Sequence, residues 1–173
     1  MKRLILLLVA IFALYGCEDS IVVESETLVQ DSVENTDDNN VEEILTKEYL
    51  DDVVDKVDEF SQLTQGVVQY LEELIENPLV SLDDEWMAEL GGVFDKIEDV
   101  FLYIDRIENI PDEYFEFHQH IQMSVMYSVL SREYIIEGIE SFDGDLIDEG
   151  ISKISISNGY MKEARKVLSD KKE

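Results

Sequence analysis

Basic residues are scarce in this 173-residue chain: 13 Lys and Arg stand against 41 Asp and Glu, for a formal charge of −28. Phosphate recognition needs clustered cations that displace counterions, so DNA and RNA are excluded as partners, and anionic surfaces repel the chain too. Cysteine occurs once, which rules out a disulfide framework within the chain, and no Cys/His spacing matches a structural zinc site. The only long apolar run, Leu4 to Tyr15, is 12 residues. As a helix it rises about 18 Å, well short of the roughly 30 Å hydrocarbon core, so a permanent transmembrane span is not expected. Nor is there a Gly-rich phosphate loop, a G-x-S-x-G or an H-E-x-x-H. With no spaced carboxylate pair on a strand either, enzymatic activity and a bound cofactor are not expected. The length leaves room for one ordinary domain plus appendages.

What is present begins with an address. Lys2 and Arg3 precede the apolar run, and Gly16 and Cys17 follow it, the layout of a secretory signal. Leu14-Tyr15-Gly16-Cys17 resembles the lipobox of bacterial lipoproteins, although Tyr15 is bulkier than the residue usual at its place. The resemblance implies removal of residues 1–16 and diacylglyceryl modification of Cys17, which becomes the first residue of the mature chain. The alternative is an ordinary signal peptide with an incidental cysteine. Two acyl chains meet the requirement for stable anchoring without insertion of protein, each buried CH₂ contributing about 0.8 kcal/mol. The expected location is therefore the extracytoplasmic side of the cell membrane, with the membrane itself engaged only through lipid on Cys17.

Residues 18–43 hold ten acidic side chains and no basic one. Such a segment cannot bury enough apolar surface to offset its ordering entropy, and 17–43 reads as a disordered acidic tether of roughly 25–30 Å as a neutral coil. Beyond it, over 44–170, apolar residues recur at spacings of three and four. They define helices at about 41–77, 82–109, 112–142 and 146–169, an all-α, antiparallel up-down four-helix bundle. Asn40, Ser81, Pro111 and Asp143 are the expected start signals, and Asn77-Pro78 the stop of the first helix. A break near Ser61–Gly66 would give a three-helix or elongated variant instead.

The apolar stripes run Leu50, Val53, Val57, Phe60, Val67, Leu71, Leu74; Trp86, Leu90, Phe94, Ile97, Phe101, Ile104; Phe117, Ile121, Val125, Ile135, Ile139, Phe142; and Ile147, Ile151, Ile154, Met161, Leu168. Reflection about residue 79 sets Gly66 opposite Gly92. Reflection about Gly144 sets Gly138 opposite Gly150, with Ser128 near Gly159. Glycine within a helix costs about 1 kcal/mol relative to alanine, so these matches predict close helix approach in both hairpins and a tightly packed body without a central cofactor cavity.

Candidates for chemistry are few. His118 and His120, two apart on a helix, point about 200° from one another and cannot jointly chelate an ion, which weakens a copper reading of His118, His120, Met123 and Met126. Asp143, Asp145, Asp148 and Glu149 lack the ligand, glycine and glutamate places of a calcium-binding EF-hand loop. No metal site is expected. The third helix is apolar nearly all round between Ile121 and Ile136. Beyond its core stripe, Met123, Met126, Tyr127, Leu130 and Tyr134 form a second face, either buried under a neighbouring helix or exposed for a protein partner at the envelope. Burial is the expectation here. Arg132 reads as an ion-paired residue among carboxylates.

The segment from Ile110-Pro111 through His118, Tyr127, Tyr134, Asp143-Gly144-Asp145 and Gly159 resembles the C-terminal helical hairpin of small uncharacterised lipoproteins of Gram-positive bacteria. The resemblance implies a place outside the cytoplasmic membrane and supplies no catalytic residues. Two functions stay open: binding or structural work at the envelope, or carriage of a small apolar ligand or metal ion in a bundle cavity lined by Tyr127, Tyr134 and Tyr160. The charge is polarised, since residues 151–173 carry six basic and three acidic side chains while 44–150 carry five and 28.

Overall fold

The computed structural model of the protein describes residues 38–171. The signal segment 1–16, Cys17 and residues 18–37 of the tether lie outside the described residues. Four helices account for most of the rest: α1 (Asp38–Glu76), α2 (Asp84–Asp105), α3 (Phe115–Glu140) and α4 (Gly144–Asp170). The all-α four-helix class expected from periodicity is the one found, and no strand occurs among the described residues. No described helix is long and apolar enough to cross a membrane.

Helix boundaries follow local chemistry, with corrections to the expected signals. Helix α1 starts at Asp38, so Asn40 lies inside it and the last residues assigned to the tether are helical. It does not break at Ser61–Gly66: the Ser61 hydroxyl donates to the Val57 carbonyl (2.8 Å) and Thr64 to that of Phe60 (2.9 Å), so both polar side chains are satisfied within a continuous helix. After Asn77, Pro78 opens a 3₁₀ turn, Pro78–Leu82. The cap of α2 is Asp83 and not Ser81: the Asp83 carboxylate accepts from the amides of Glu85 (2.9 Å) and Trp86 (3.4 Å), while the Ser81 hydroxyl donates back to Pro78. Helix α2 ends at Asp105, four residues before the expected stop. Pro111 caps a short 3₁₀ turn, Asp112–Tyr114, that leads into α3. Asp143 caps α4 as expected, accepting from Asp145 and Leu146.

Buried positions alternate at spacings of four and three. Val53, Val57, Phe60, Thr64, Val67 and Leu71 are buried on α1, and Trp86, Leu90, Phe94, Ile97 and Ile104 on α2. The hairpin between them is pinned near its turn by Trp86, whose indole N–H donates to Glu73 (3.0 Å) and whose ring meets Tyr70 edge-on at 5.5 Å. Helix α3 packs on α2 through Arg132, which bonds Asp95 (2.7 Å) and Glu98 (3.4 Å), and Gln122, which donates to Asp105 (2.7 Å). This is the ion-paired role expected of Arg132.

The closest helix pair is α3 with α4. On α3 the sequence Phe117, Ile121, Ser124, Ser128, Ser131, Ile135, Gly138 is buried without interruption, and on α4 so are Gly150, Ile154, Ser157, Met161, Ala164 and Leu168. Small residues occupy the middle of both series, so the backbones draw together. The buried hydroxyls satisfy one another: Ser124 donates to the Ser157 carbonyl (2.9 Å), Ser128 to Ser157 Oγ (2.9 Å) and Ser131 to the Ser128 carbonyl (2.6 Å). A methyl group at Gly150 would stand 2.5 Å from Ile135 Cγ1 and 3.1 Å from the Ser131 carbonyl, and one at Gly138 2.8 Å from the Ile147 amide. Close approach is thus real in the second hairpin, with each glycine facing a larger residue instead of the other glycine. It fails in the first: a methyl at Gly66 would sit at an ordinary 3.8 Å from Val93, and at Gly92 it would meet nothing. Branched and aromatic side chains hold α1 and α2 apart.

Phe142 is a second correction. Expected in the core, it is 72% exposed, because α3 ends at Glu140 and the residue lies past the helix end. Its φ is +54°, the only positive value at a non-glycine residue among those described. The Asp143 amide bonds the Gly138 carbonyl (2.8 Å) and the Phe142 amide that of Ile139 (3.2 Å), the helix-ending motif in which glycine is the usual left-handed residue.

Gly150→Ala is expected to lower stability by about 1–3 kcal/mol, since α3 must yield to the methyl, whereas Gly159→Ala, with nothing within 4 Å, should raise it by up to about 1 kcal/mol. Urea denaturation of the two variants beside the parent decides the matter, and equal midpoints would contradict the tight seam. By the same measurement Phe142→Gly should be more stable by about 1 kcal/mol, through relief of the left-handed strain without loss of buried surface.

Candidate partner-binding face

Three sides of α3 meet different surroundings. One forms the small-residue seam. A second carries His118, Gln122, Val125 and Arg132 toward α1 and α2. The remaining side holds the five residues singled out from the sequence. Tyr127, Tyr134, Met123 and Met126 are half-buried and Leu130 is 46% exposed. The expected burial of this face is partial: α1 and α2 occupy another flank, and what covers four of the five residues comes from α4.

The tight seam explains that cover. With α4 drawn close, its side chains reach around onto α3. The Tyr160 ring stacks on Tyr127 with centroids 5.7 Å apart and planes within 14°, and lies 6.1 Å from the His120 ring. The Lys153 ammonium sits 5.4 Å above the Tyr134 ring and 3.9 Å from Glu149. Ile156, one turn before Tyr160, is 40% exposed. A strip of Met123, Tyr127, Leu130 and Tyr134 from α3, with Ile156 and Tyr160 from α4, results. The α4 half was missed in the sequence, although the reflection about Gly144 had set Ser128 near Gly159, the neighbour of Tyr160.

The strip is suited to contact and not to reaction. Its rings are amphipathic and partly fixed by stacking, and its carboxylates, Glu149 beside Lys153 and Glu116 3.8 Å from His120, stand at its edges. A shallow groove of about 450 Å³ does exist elsewhere, lined by Asp99, Leu102 and Tyr103 of α2 with Arg106 and Ile107 just past its end, and by none of the three tyrosines that would line a carrier cavity. No group of three or more metal-ligating side chains assembles among the described residues.

His118 and His120 part company as their spacing requires. His120 stays at the outer strip. His118 is buried, with Nδ1 3.2 Å from the Tyr49 hydroxyl, a hydrogen bond whose direction follows the tautomer of the imidazole. The Tyr49 ring also lies 5.9 Å from Tyr114, over which Lys171 sits at 5.1 Å, so this cluster ties α1, the start of α3 and the end of α4. Burial pushes the His118 imidazole below its ordinary range, opposed in smaller part by the Asp105 carboxylate, and pushes the Tyr49 phenol up.

Compared with protein-family models, curated proteins and solved structures, the chain matches none. Function has to be read from its own chemistry.

Because the folded state resists protonation of His118, its contribution to stability is complete above the unfolded histidine pKa near 6.5 and declines as pH falls through that value toward the lowered folded one. Between pH 7.5 and 5.5 the parent should lose stability relative to His118→Gln, which stays neutral and offers Tyr49 both a donor and an acceptor. Parallel pH profiles for the two proteins would show that His118 charges freely in the fold.

Proposed function

We propose that the protein is a lipid-anchored, extracytoplasmic helical body that works by binding another protein of the cell envelope through the outer strip of α3 and α4. The carrying observation is that strip itself. In a chain of formal charge −28, Leu130 and Ile156 remain open to solvent between tyrosines, with the acidic groups displaced to the margin. An exposed aromatic and aliphatic patch with a polar rim is what a modest protein interface looks like. The anchoring half of the reading rests on Lys2-Arg3, the run Leu4–Tyr15 and the lipobox resemblance at Leu14–Cys17. The same resemblance, with that of the third and fourth helices to Gram-positive lipoproteins, supports an envelope location. Carriage of a small ligand is the weaker reading, because Tyr127 and Tyr160 pack on each other and Tyr134 lies under Lys153.

A photo-crosslinking residue placed at Leu130 or Ile156 in intact cells should capture one and the same envelope protein, identified by mass spectrometry, while the probe at exposed Asp58 on α1 does not. Metabolic labelling with a palmitate analogue should mark the protein and vanish in Cys17→Ala. Capture of cytosolic proteins alone, or labelling that survives the cysteine change, would overturn the reading.

A further inference from the structure

The three most exposed large apolar side chains among the described residues are Phe142 at 72%, Leu79 at 71% and Leu82 at 66%. None belongs to the outer strip. Leu79 and Leu82 lie in the turn from α1 to α2, Phe142 in the turn from α3 to α4. The Arg132–Asp95 and Gln122–Asp105 contacts run α2 and α3 antiparallel, so these two turns stand at the same end of the molecule. That end is opposite the one where α1 begins.

Two further facts separate this end from chance exposure. Turns ordinarily take Gly, Asn, Asp or Ser, and the position of Phe142, at φ +54°, favours glycine; an aromatic ring there is both strained and solvated. Around the three apolar groups acidic side chains dominate, with Lys153 reaching Glu149 from the next turn of α4. Residues 76–89 carry five carboxylates and 137–149 six, with no Lys or Arg in either stretch. Self-association through this end would oppose two such fields, and an anionic lipid surface is repelled by the same field.

We propose that this turn-bearing end, with Leu79, Leu82 and Phe142 set among carboxylates, is a second docking site, for a cationic amphipathic segment of a partner protein. Apolar side chains of the segment would cover the three exposed groups while its Lys and Arg residues meet Asp83, Asp84, Glu85, Asp143 and Asp145. Phe142 is then retained for contact at the expense of the helix end.

The test uses the full chain in phosphatidylcholine nanodiscs, with empty discs as blank, titrated with fluorescent synthetic peptides. An amphipathic Lys/Leu peptide should bind at least tenfold more tightly than a Lys/Ser peptide of equal charge, and a Glu/Leu peptide should not bind. In Leu79→Ser/Leu82→Ser/Phe142→Gly the Lys/Leu affinity should fall at least tenfold with the Lys/Ser affinity unchanged. Leu130→Ser/Ile156→Ser, which removes the outer strip of the proposed function, should leave both intact. Phe142→Gly alone should melt higher and bind the Lys/Leu peptide several-fold more weakly. The proposal is overturned if Lys/Leu and Lys/Ser peptides bind alike, if the triple variant keeps its affinity, or if Phe142→Gly proves more stable and equally good at binding.

Discussion

Close approach of α3 and α4 is the constraint from which most of the molecule follows. Interiors ordinarily keep helices 8–10 Å apart by filling the space with large side chains. Here Ser124, Ser128, Ser131, Ser157, Ala164 and two glycines remove that filling, and backbone meets side chain directly. A buried hydroxyl costs stability unless it is paired, and each of these serines has a partner on the same seam or in its own helix, so the narrow interface carries no desolvation penalty of that kind. The seam buries little apolar area in its middle. Hydrophobic stabilisation falls to Phe60, Leu71, Leu90, Phe94 and Ile97 on the α1–α2 side and to Ile121, Ile135, Ile151 and Ile154 flanking the small residues of the seam. The two hairpins thus pack in different ways, one by bulk and one by proximity, and proximity is what lets Tyr160 and Lys153 reach the outer side of α3.

Scarcity of cations shapes the remaining polar contacts. Arg132 answers two carboxylates at once, and Lys56, Lys153 and Lys171 each combine a carboxylate with a tyrosine ring, Lys56 lying 5.0 Å from that of Tyr103. Exposed ion pairs contribute little individually, and there are too few cations to neutralise the acids. Neutral donors take up part of the work: Tyr70 donates to Glu89, Trp86 to Glu73 and Gln122 to Asp105. Each joins two helices and spends no positive charge.

Four helices were legible in the sequence because branched and aromatic residues at three- and four-residue steps have few other solutions. The seam was less so. Serine at positions 124, 128, 131 and 157 continues the heptad series, yet by composition it reads as a gap between Ile121 and Ile135 on α3 and between Ile154 and Met161 on α4, and only the helical glycines hinted at what replaced bulk. Gly66 and Gly92 gave the same hint and meant nothing, since the large neighbours that keep α1 and α2 apart outweigh a symmetry of position. Phe142 continued the apolar period one step past the end of α3, where periodicity has no content. Half of the outer strip was visible, the half on one helix. The other half depends on how near α4 comes, a distance that no single-helix pattern contains.

An up-down bundle of four helices places both chain ends at one pole and the first and third turns at the other, whatever its sequence. The turns therefore stand opposite the end where α1 begins, by topology alone. What topology does not require is the chemistry of those turns. Polar residues would close them more stably: Asp83 and Asp143 already cap the helices that follow, and glycine would close α3 without strain. The opposite pole shows the ordinary solution, where Tyr49, Tyr114, Phe117 and His118 are gathered inward and Lys171 covers the tyrosine that reaches the surface. Exposed rings occur at that pole too, Phe115 at 52% and Tyr103 at 39%, so exposure alone does not distinguish Phe142; its combination with a left-handed backbone does. Folding stability alone does not ask for a strained, solvated ring at position 142, and the proposed docking of a partner segment supplies a reason for it.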